Sequence, residues 1–311
     1  MRHRSAREPR CSYVVVLENP SADLRDLAAY LSEIAVANFE VIVVDRSASE
    51  ENRRVLRWVG RYVHSYADTI RAAIDLTTCD KVIVADASVR YGMDALDMMT
   101  VLLELHEVVE PQAYFDPLPW WGGIEAGRVL VQRSLHAVAD HGSTFGFRRR
   151  VIRGLRSIEP AVAQDSVRRL ASQGAEVFTA IGTFVRRLPP AFSDWVRDLP
   201  RRAEEELVVP ARAALFILFL PFLVVLSLLG GGRVAGTLAG AIAFATVVLA
   251  VRGRFGAARF FPLRACLFAP LSILQRSIGV YCALFRRVSV RRELLPDHHR
   301  DAVGQIHVGR L

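Results

Sequence analysis

Residues 81–91 read KVIVADASVRY, and this stretch decides the fold class. Val82 to Ala85 are four apolar or β-branched residues in a row, a pattern typical of a strand covered on both faces. Asp86 follows the strand directly, and Ser88 lies two residues beyond it. A buried strand that ends in a carboxylate predicts an α/β sheet with a polar site at the carboxyl ends of its strands.

Two earlier stretches have the same character. Residues 13–17 (YVVVL) and 41–45 (VIVVD) each predict a short buried strand. Helical patterns follow the first and third strands, at Leu24, Leu27, Leu31 and Ile34 and at residues 93–105. The alternation of strand and helix predicts a mostly parallel sheet with helices on both faces.

Polar residues stand at the carboxyl ends of all three predicted strands, namely Glu18, Asp45 and Asp86. Parallel strands end at the same edge of a sheet, so we expect these side chains to converge on one site. Asp45 also fits a simple turn, because Ser47 follows it two residues later. No glycine-rich phosphate loop follows the first strand, which argues against a dinucleotide site or a P-loop.

The composition points to a membrane. The chain has 311 residues, a formal net charge of +8 and 52% hydrophobic residues, with a mean hydropathy of +0.24. A basic chain with long apolar runs favours anionic lipid as a partner over nucleic acid, and no nucleic-acid-reading motif is recognisable. The four cysteines lack metal-binding spacing and predict reduced, structural thiols.

Residues 213–232 and 234–251 form uncharged stretches of 20 and 18 residues. A helix needs about 20 apolar residues to cross the hydrocarbon. We therefore predict two transmembrane helices within residues 210–252, joined by a Gly-Gly-Gly turn. From Arg252 to Arg292 the sequence has nine arginines and no acid, which places this segment and the preceding domain in the cytoplasm. Apart from Arg233 in the turn, the two predicted spans contain no charged residue. This argues against an ion or solute carrier.

A third apolar segment, residues 260–285, is interrupted by two prolines, Gln275 and Arg276. We predict an interfacial or re-entrant helix pair there, because a third crossing would put the arginine-rich tail outside. A true third span remains the alternative. The predicted organisation is a flexible basic N-terminus (1–11), a cytoplasmic domain (12–209), two transmembrane helices (210–252), a basic interfacial segment (253–292) and a polar tail (293–311).

Several motifs in this order resemble the family 2 glycosyltransferases with the GT-A fold, including membrane-bound, ceramide-glucosyltransferase-like bacterial members. The resemblance covers roughly residues 12 to 290. The motifs are LENP (17–20), VIVVDRS (41–47), VIVADAS (82–88), YFDPLPWW (114–121), GSTFGFR (142–148), QD (164–165) and VRRLASQGAEVF (167–178). The resemblance implies an α/β fold with a nucleotide-sugar-binding GT-A domain, followed by a transmembrane helical region.

The resemblance also implies roles for the acidic residues. Asp45 would receive the uracil or ribose end of a UDP-linked sugar, with Glu18 at the neighbouring strand end. Asp86 would open an Asp-x-Asp motif that holds Mg²⁺ or Mn²⁺ against the diphosphate. Asp165 would be the general base that activates the acceptor hydroxyl, which gives inversion at the anomeric carbon. Asp165 also fits the N-cap of a helix over residues 166–173.

The sequence departs from the family pattern at two places. Ser88 stands where the second aspartate is expected, and a neutral hydroxyl is a poor ligand for a hard cation. We therefore expect a weakened metal site at Asp86, with Arg90 as a direct phosphate contact instead. The family motif Gln/Arg-x-x-Arg-Trp is replaced by a region containing Arg197 and Arg201. These arginines fit either a diphosphate contact or a membrane-surface role.

The sequence thus favours a membrane-anchored, inverting glycosyltransferase that moves a hexose from a nucleotide sugar to a hydroxyl, with a lipid at the inner leaflet as acceptor. Anionic membrane lipids are the other expected partner. The alternative is a catalytically impaired relative that serves as a membrane scaffold or binds a partner protein. Ser88 and the altered arginine motif favour the alternative, whereas the retained aspartates favour the enzyme.

Overall fold

The computed structural model divides the chain into two compact units. The first unit comprises Met1–Pro189 and Thr246–Ala269, and the second comprises Pro190–Ala245 and Pro270–Leu311. The structure describes residues 8–17, 23–47, 49–64, 69–135, 144–152, 167, 170–171, 174–200, 203, 207 and 210–293. The boundaries of compact units need not coincide with those of membrane segments. The segment boundaries predicted at residues 209 and 252 therefore stay predictions.

The first unit is built on a mixed sheet of eight strands within the described residues, in the order β3-β2-β1-β4-β7-β6-β8-β5. The strands are β1 (Ser12–Leu17), β2 (Glu40–Asp45), β3 (Arg61–His64), β4 (Lys81–Asp86), β5 (Val89–Arg90), β6 (Val108–Phe115), β7 (Thr144–Arg148) and β8 (Val177–Arg187). The three strands predicted from the sequence are confirmed as β1, β2 and β4. Their apolar runs form the middle of the sheet, where both faces are covered.

Strand β1 lies between β2 and β4, and both pairings are parallel. In the register of these pairs, Leu17 lies opposite Asp45, and Val16 lies opposite Asp86. The two aspartates therefore stand at the same edge of the sheet, on either side of β1. Beyond β4 the sheet turns antiparallel through β7, whereas β6 and β8 run parallel to each other.

The helices of the first unit cover the sheet. They are α1 (Leu24–Val36), α2 (Glu50–Leu56), α3 (Thr69–Leu76), α4 (Met93–Leu105), α5 (Gly122–Ser134) and α6 (Arg149–Ile152). Helix α1 buries the side chains that recur at helical spacing, Leu24, Leu27, Leu31 and Ile34. These leucines pack with alternate residues of β1 and β2 in one core cluster, so the predicted amphipathic face is confirmed.

Helix α5 packs closely against the C-terminal part of the first unit. A Cβ added to Gly127 would lie 2.6 Å from the Cα of Ala269 and 2.7 Å from the carbonyl oxygen of Ala265. Leu130, also on α5, is fully buried in a hydrophobic cluster that includes Ala265 and Ala269. The glycine therefore permits a backbone approach that a larger residue would block.

The remaining helices are α7 (Phe192–Arg197), α8 (Pro210–Arg254) and α9 (Leu263–Glu293). Helix α8 has a single residue with non-helical dihedral angles, Gly231, with φ 76° and ψ 157°. The break therefore falls in the Gly-Gly-Gly stretch predicted as a turn. Residues 263–293 form one continuous helix with Pro270 inside it, where the sequence had suggested a pair of helices.

Two helical stretches of the described residues are long and apolar enough to cross a membrane, Ala213–Arg254 and Leu263–Arg286. Only 6% of the most apolar window of the first stretch is buried. The core helix of a soluble protein would be mostly buried, so exposed apolar surface of this extent favours contact with lipid.

Candidate functional site

The side chain of Asp45, at the carboxyl end of β2, is fully buried and held by three hydrogen bonds. Its Oδ1 accepts from the backbone N–H of Ser47 at 2.8 Å and from the Ser47 hydroxyl at 2.6 Å. Its Oδ2 accepts from the Tyr62 hydroxyl at 2.6 Å. Burial, followed by the hydrogen bond to Asp45, raises the pKa of Tyr62. Asp45 therefore forms the turn that its spacing to Ser47 predicts.

A short polar network continues this turn into helix α2. The Ser47 hydroxyl accepts from the side-chain amide of Asn52 at 2.8 Å, and Asn52 itself is fully buried. Ser49 caps α2 by accepting from the backbone N–H of Asn52. The alternation Asp45, Ser47, Ser49 in the sequence was the available signal for this network, because short polar side chains bind nearby backbone groups. The network fixes the orientation of the Asp45 carboxylate.

The carboxyl end of β4 has the same local geometry. Asp86 Oδ1 accepts from the backbone N–H of Ser88 at 2.7 Å. The Ser88 carbonyl accepts from the backbone N–H of Leu188 at 2.9 Å, which fastens this turn to the residue after β8. The Ser88 Oγ atom is buried and has no hydrogen-bond partner among the described residues. The turn formed by Asp86, Ala87 and Ser88 is called the DAS turn below.

The structure brings two of the predicted site residues to one edge. Asp45 and Asp86 flank β1, and two strand spacings separate β2 from β4 by about 10 Å. That spacing suits a ligand that reaches from one strand end to the other across β1. Glu18 directly follows β1 in the sequence, but it lies outside the described residues, as do Asp165 and Arg201.

Arg197 lies in the second unit, at the end of α7. Its guanidinium is exposed and stands 3.3 Å from the carboxylate of Asp194 in the same helix. An exposed pair of this kind contributes little to stability, so Arg197 stays available to other anions. Its predicted contact with a diphosphate stays a prediction.

Among the described residues, the DAS turn supplies few of the oxygen donors that a resident divalent ion needs. No group of three or more His, Cys, Asp or Glu side chains in the described part of the chain has the arrangement to hold an ion. Asp86 supplies one carboxylate, and one of its oxygens already accepts from the Ser88 backbone. The Ser88 hydroxyl is buried and neutral. Hard cations in proteins favour several oxygen ligands, with carboxylates among them.

Arginines adjoin the DAS turn. Arg90 was expected there from the sequence, whereas the arginines at the end of β8 were not. Strand β5 begins one residue after Ser88 and pairs antiparallel with the end of β8. Arg90 lies opposite Arg186, and Val89 lies opposite Arg187. The paired basic residues at the end of β8 were the signal in the sequence, but only the fold shows which turn they adjoin.

Beneath this edge, tyrosines support the end of β4. The Tyr91 hydroxyl lies 2.7 Å from the Thr144 hydroxyl, which donates to the backbone carbonyl of Val84 at 2.7 Å. The backbone N–H of Tyr91 donates to the hydroxyl of Tyr30 on α1 at 2.8 Å. Burial raises the pKa of Tyr91. These bonds tie β4, β7 and α1 together directly below the turn.

The YFDPLPWW segment, residues 114–121, combines a buried and an exposed tryptophan. Trp121 is buried and its ring meets that of Phe115 edge-on, with centroids 5.4 Å apart. Trp120, one residue earlier, is 71% exposed. Aromatic side chains that stay exposed suit contacts with sugar, lipid or a partner.

Comparison with known proteins supports the fold only. No protein-family model matches the chain, and no curated protein matches its sequence. A solved structure of a mannosyltransferase from Pyrobaculum calidifontis, in complex with GDP-Man and Mn²⁺, matches with 15% identity over 88% of each chain and a TM-score of 0.52. A glucosyl-3-phosphoglycerate synthase from Mycobacterium tuberculosis matches with 11% identity over 60% of this chain and 72% of its own, with a TM-score of 0.43. The chain has the GT-A fold.

Proposed function

We propose, from the GT-A fold, that this chain is a membrane-anchored glycosyltransferase that moves a hexose from a nucleotide sugar to a hydroxyl acceptor with inversion. The observation that carries the proposal is the placement of Asp45 and Asp86 on either side of β1 at the carboxyl edge of the sheet. Ligands of open α/β sheets bind beyond this edge.

The donor would lie across the end of β1. Asp45, oriented by Ser47 and Tyr62, would accept hydrogen bonds from the uracil or ribose of a UDP-linked donor. The diphosphate would then reach the DAS turn about 10 Å away, two strands along the sheet. Glu18, at the end of the strand between them, would contact the same ligand.

Transfer would proceed as a single displacement. Asp165 would take the proton from the acceptor hydroxyl, whose oxygen would attack the anomeric carbon of the sugar. The bond from that carbon to the diphosphate oxygen would break, and the nucleoside diphosphate would leave with the bonding electrons. Arg197 and Arg201 would contact the leaving diphosphate or the membrane surface.

Mg²⁺ or Mn²⁺, where bound, would neutralise charge on the leaving diphosphate. Asp86 is the one described carboxylate of the DAS turn, so we assign no step to the ion. A weakly held ion that arrives with the nucleotide sugar is the form of metal dependence that these donors allow.

The acceptor in this proposal is a lipid hydroxyl at the inner leaflet. Two helical stretches long and apolar enough to cross a membrane support the anchoring. The arginines between 252 and 292 would attract anionic lipid at the cytoplasmic face. The predicted cytoplasmic domain ends at residue 209, directly before the first predicted span. A domain tethered in this way would meet membrane-embedded acceptors by diffusion in two dimensions.

Calorimetric titration of UDP into the detergent-solubilised chain, followed by transfer assays with UDP-sugars and lipid acceptors, tests the proposal. We expect binding that Asp45→Asn weakens, and turnover that Asp165→Asn abolishes while binding persists. Asp75→Asn, which changes an exposed carboxylate near the end of α3, is the matched control and should affect neither. Absence of binding for UDP, GDP and other nucleotides would contradict the proposal.

The scaffold alternative rests on Ser88, which removes one carboxylate from the motif. A scaffold would bind a nucleotide sugar or a partner protein but would show no transfer to any acceptor. Binding of UDP without turnover, unchanged by Asp165→Asn, would therefore support the scaffold.

A further inference from the structure

Two arginines face each other beside the DAS turn. Arg90 on β5 and Arg186 on β8 are directly opposite in the antiparallel ladder. Like charges in opposite positions of such a ladder repel each other. The arrangement therefore costs free energy in the absence of an anion, and an anion bound between the two guanidinium groups would offset that cost.

Arg90 is positioned by the turn that it adjoins. Its Nη1 donates to the carbonyls of Ala87 at 2.5 Å and Val89 at 2.9 Å, and its guanidinium lies 5.0 Å from the ring centroid of Tyr30. In the described part of the chain, no carboxylate forms an ion pair with Arg90, and its Nε and Nη2 have no hydrogen-bond partner. Burial lowers the pKa of Arg90, but a guanidinium stays charged at neutral pH. Asp23 attracts the Arg90 charge without forming an ion pair with it. A partly buried cation that forms no ion pair with a described carboxylate favours binding of an anion.

Arg186 is only partly neutralised. Its Nε donates to the carbonyl of Asp116 at 3.0 Å and lies 3.2 Å from the Asp116 carboxylate. Both side chains are about half exposed, with 45% and 55% of their surface accessible, so solvent screens the pair. Its two Nη atoms have no hydrogen-bond partner among the described residues. They remain free for a planar, two-point contact with a phosphate group.

We infer that Arg90 and Arg186 bind the diphosphate of the donor and supply the positive charge that a second carboxylate and its metal ion would otherwise bring. The inference rests on the proposed function, because the nucleotide sugar defines the ligand. The guanidinium groups neutralise the charge that develops on the diphosphate as its bond to the sugar breaks. Nucleoside diphosphate binding by this chain therefore persists without a divalent ion.

The test is titration of UDP, GDP and inorganic pyrophosphate into the detergent-solubilised full chain, in EDTA and in Mn²⁺. We expect the wild-type chain to bind in both, with affinities that differ by less than about threefold. Arg186→Gln should lose about tenfold in both conditions, the effect of removing one charge-assisted hydrogen bond. Arg54→Gln is the matched control and should be unchanged, because Arg54 is exposed in the last turn of α2, at the end away from the carboxyl edge.

Ser88→Asp provides the reciprocal test. The added carboxylate should weaken binding in EDTA by repulsion of the diphosphate and should make Mn²⁺ increase affinity by about tenfold. This variant does not depend on how Arg186→Gln folds, and Ser88 as a whole is only partly buried. A gain of metal dependence would support the assignment of the arginines to the role of the metal.

The outcomes separate this inference from the proposed function. Wild-type binding that requires Mn²⁺ and is unaffected by Arg186→Gln would overturn the inference and leave the donor site intact. Binding of pyrophosphate in EDTA that Arg186→Gln weakens, without binding of any nucleotide, would support the arginine site and contradict the nucleotide-sugar proposal. Absence of pyrophosphate and nucleotide binding in EDTA would overturn the inference.

Discussion

The Tyr62 hydroxyl orients the Asp45 carboxylate of the candidate donor site in the absence of a ligand. This hydroxyl donates to the one Asp45 oxygen that Ser47 does not contact. When a buried carboxylate loses one hydrogen-bond donor, the free-energy cost of its desolvation, about 1–3 kcal/mol, is no longer offset. We therefore expect Tyr62→Phe to lower the free energy of unfolding by this amount and to weaken UDP binding, as measured by thermal unfolding and calorimetry in detergent.

The matched control for that prediction is Tyr114→Phe. The Tyr114 hydroxyl has no hydrogen-bond partner among the described residues, although its ring packs against Phe260 with centroids 4.9 Å apart. Removal of this hydroxyl should leave stability and UDP binding unchanged. Equal losses in both variants would show that the hydroxyl bond to Asp45 does not orient the site.

Buried tyrosines also give stability a definite dependence on pH. Burial raises the pKa values of Tyr13 and Tyr91 above the usual value near 10. These groups ionise more readily in the unfolded chain, so the unfolded state binds fewer protons above that pH. The contribution of these tyrosines to stability should be constant below about pH 10 and should fall as the pH rises further. Thermal unfolding from pH 7 to 11 measures this, and Tyr91→Phe should make the decline less steep.

At the scale of elements, α5 and the start of α9 form a contact that depends on small residues. Gly127→Ala would place a Cβ 2.6 Å from the Cα of Ala269, a distance that requires the backbone to shift. Overpacking of this kind costs about 1–3 kcal/mol, so thermal unfolding should occur at a lower temperature. Gly182→Ala on β8 is the control, because a Cβ at Gly182 meets no atom within 4 Å. Equal stability of the two variants would contradict the close packing.

The elements that sequence reasoning predicted are those with strong periodicity. Strand β4 has a continuous apolar run, and α4 was predicted over the residues it occupies, Met93–Leu105. The two-residue strand β5 has no such pattern, because it exists only through its pairing with β8. That pairing brings Arg186 from a distant part of the chain to Arg90. The aspartates of the site and Arg90 were therefore predictable, whereas the placement of Arg186 opposite Arg90 was not.

At the scale of the whole molecule, the number of membrane crossings fixes which side the C-terminal tail occupies. Two crossings within residues 210–252 return the chain to the cytoplasm, and a crossing by residues 263–286 would reverse the tail. The arginines between 252 and 292 oppose that reversal, because basic segments are retained on the cytoplasmic side. We therefore expect position 233 outside the cytoplasm and position 300 within it.

Labelling of single cysteines with an impermeant maleimide in intact cells tests this topology. Arg233→Cys and Arg300→Cys would be made in a chain whose four native cysteines are replaced by serine or alanine. Arg233→Cys should react from outside, whereas Arg300→Cys should react only after the membrane is permeabilised. Labelling of both from outside would establish a third crossing by helix α9. Because α9 begins in the first unit at Leu263, that result would place the start of the crossing directly beside the packing contact of Gly127.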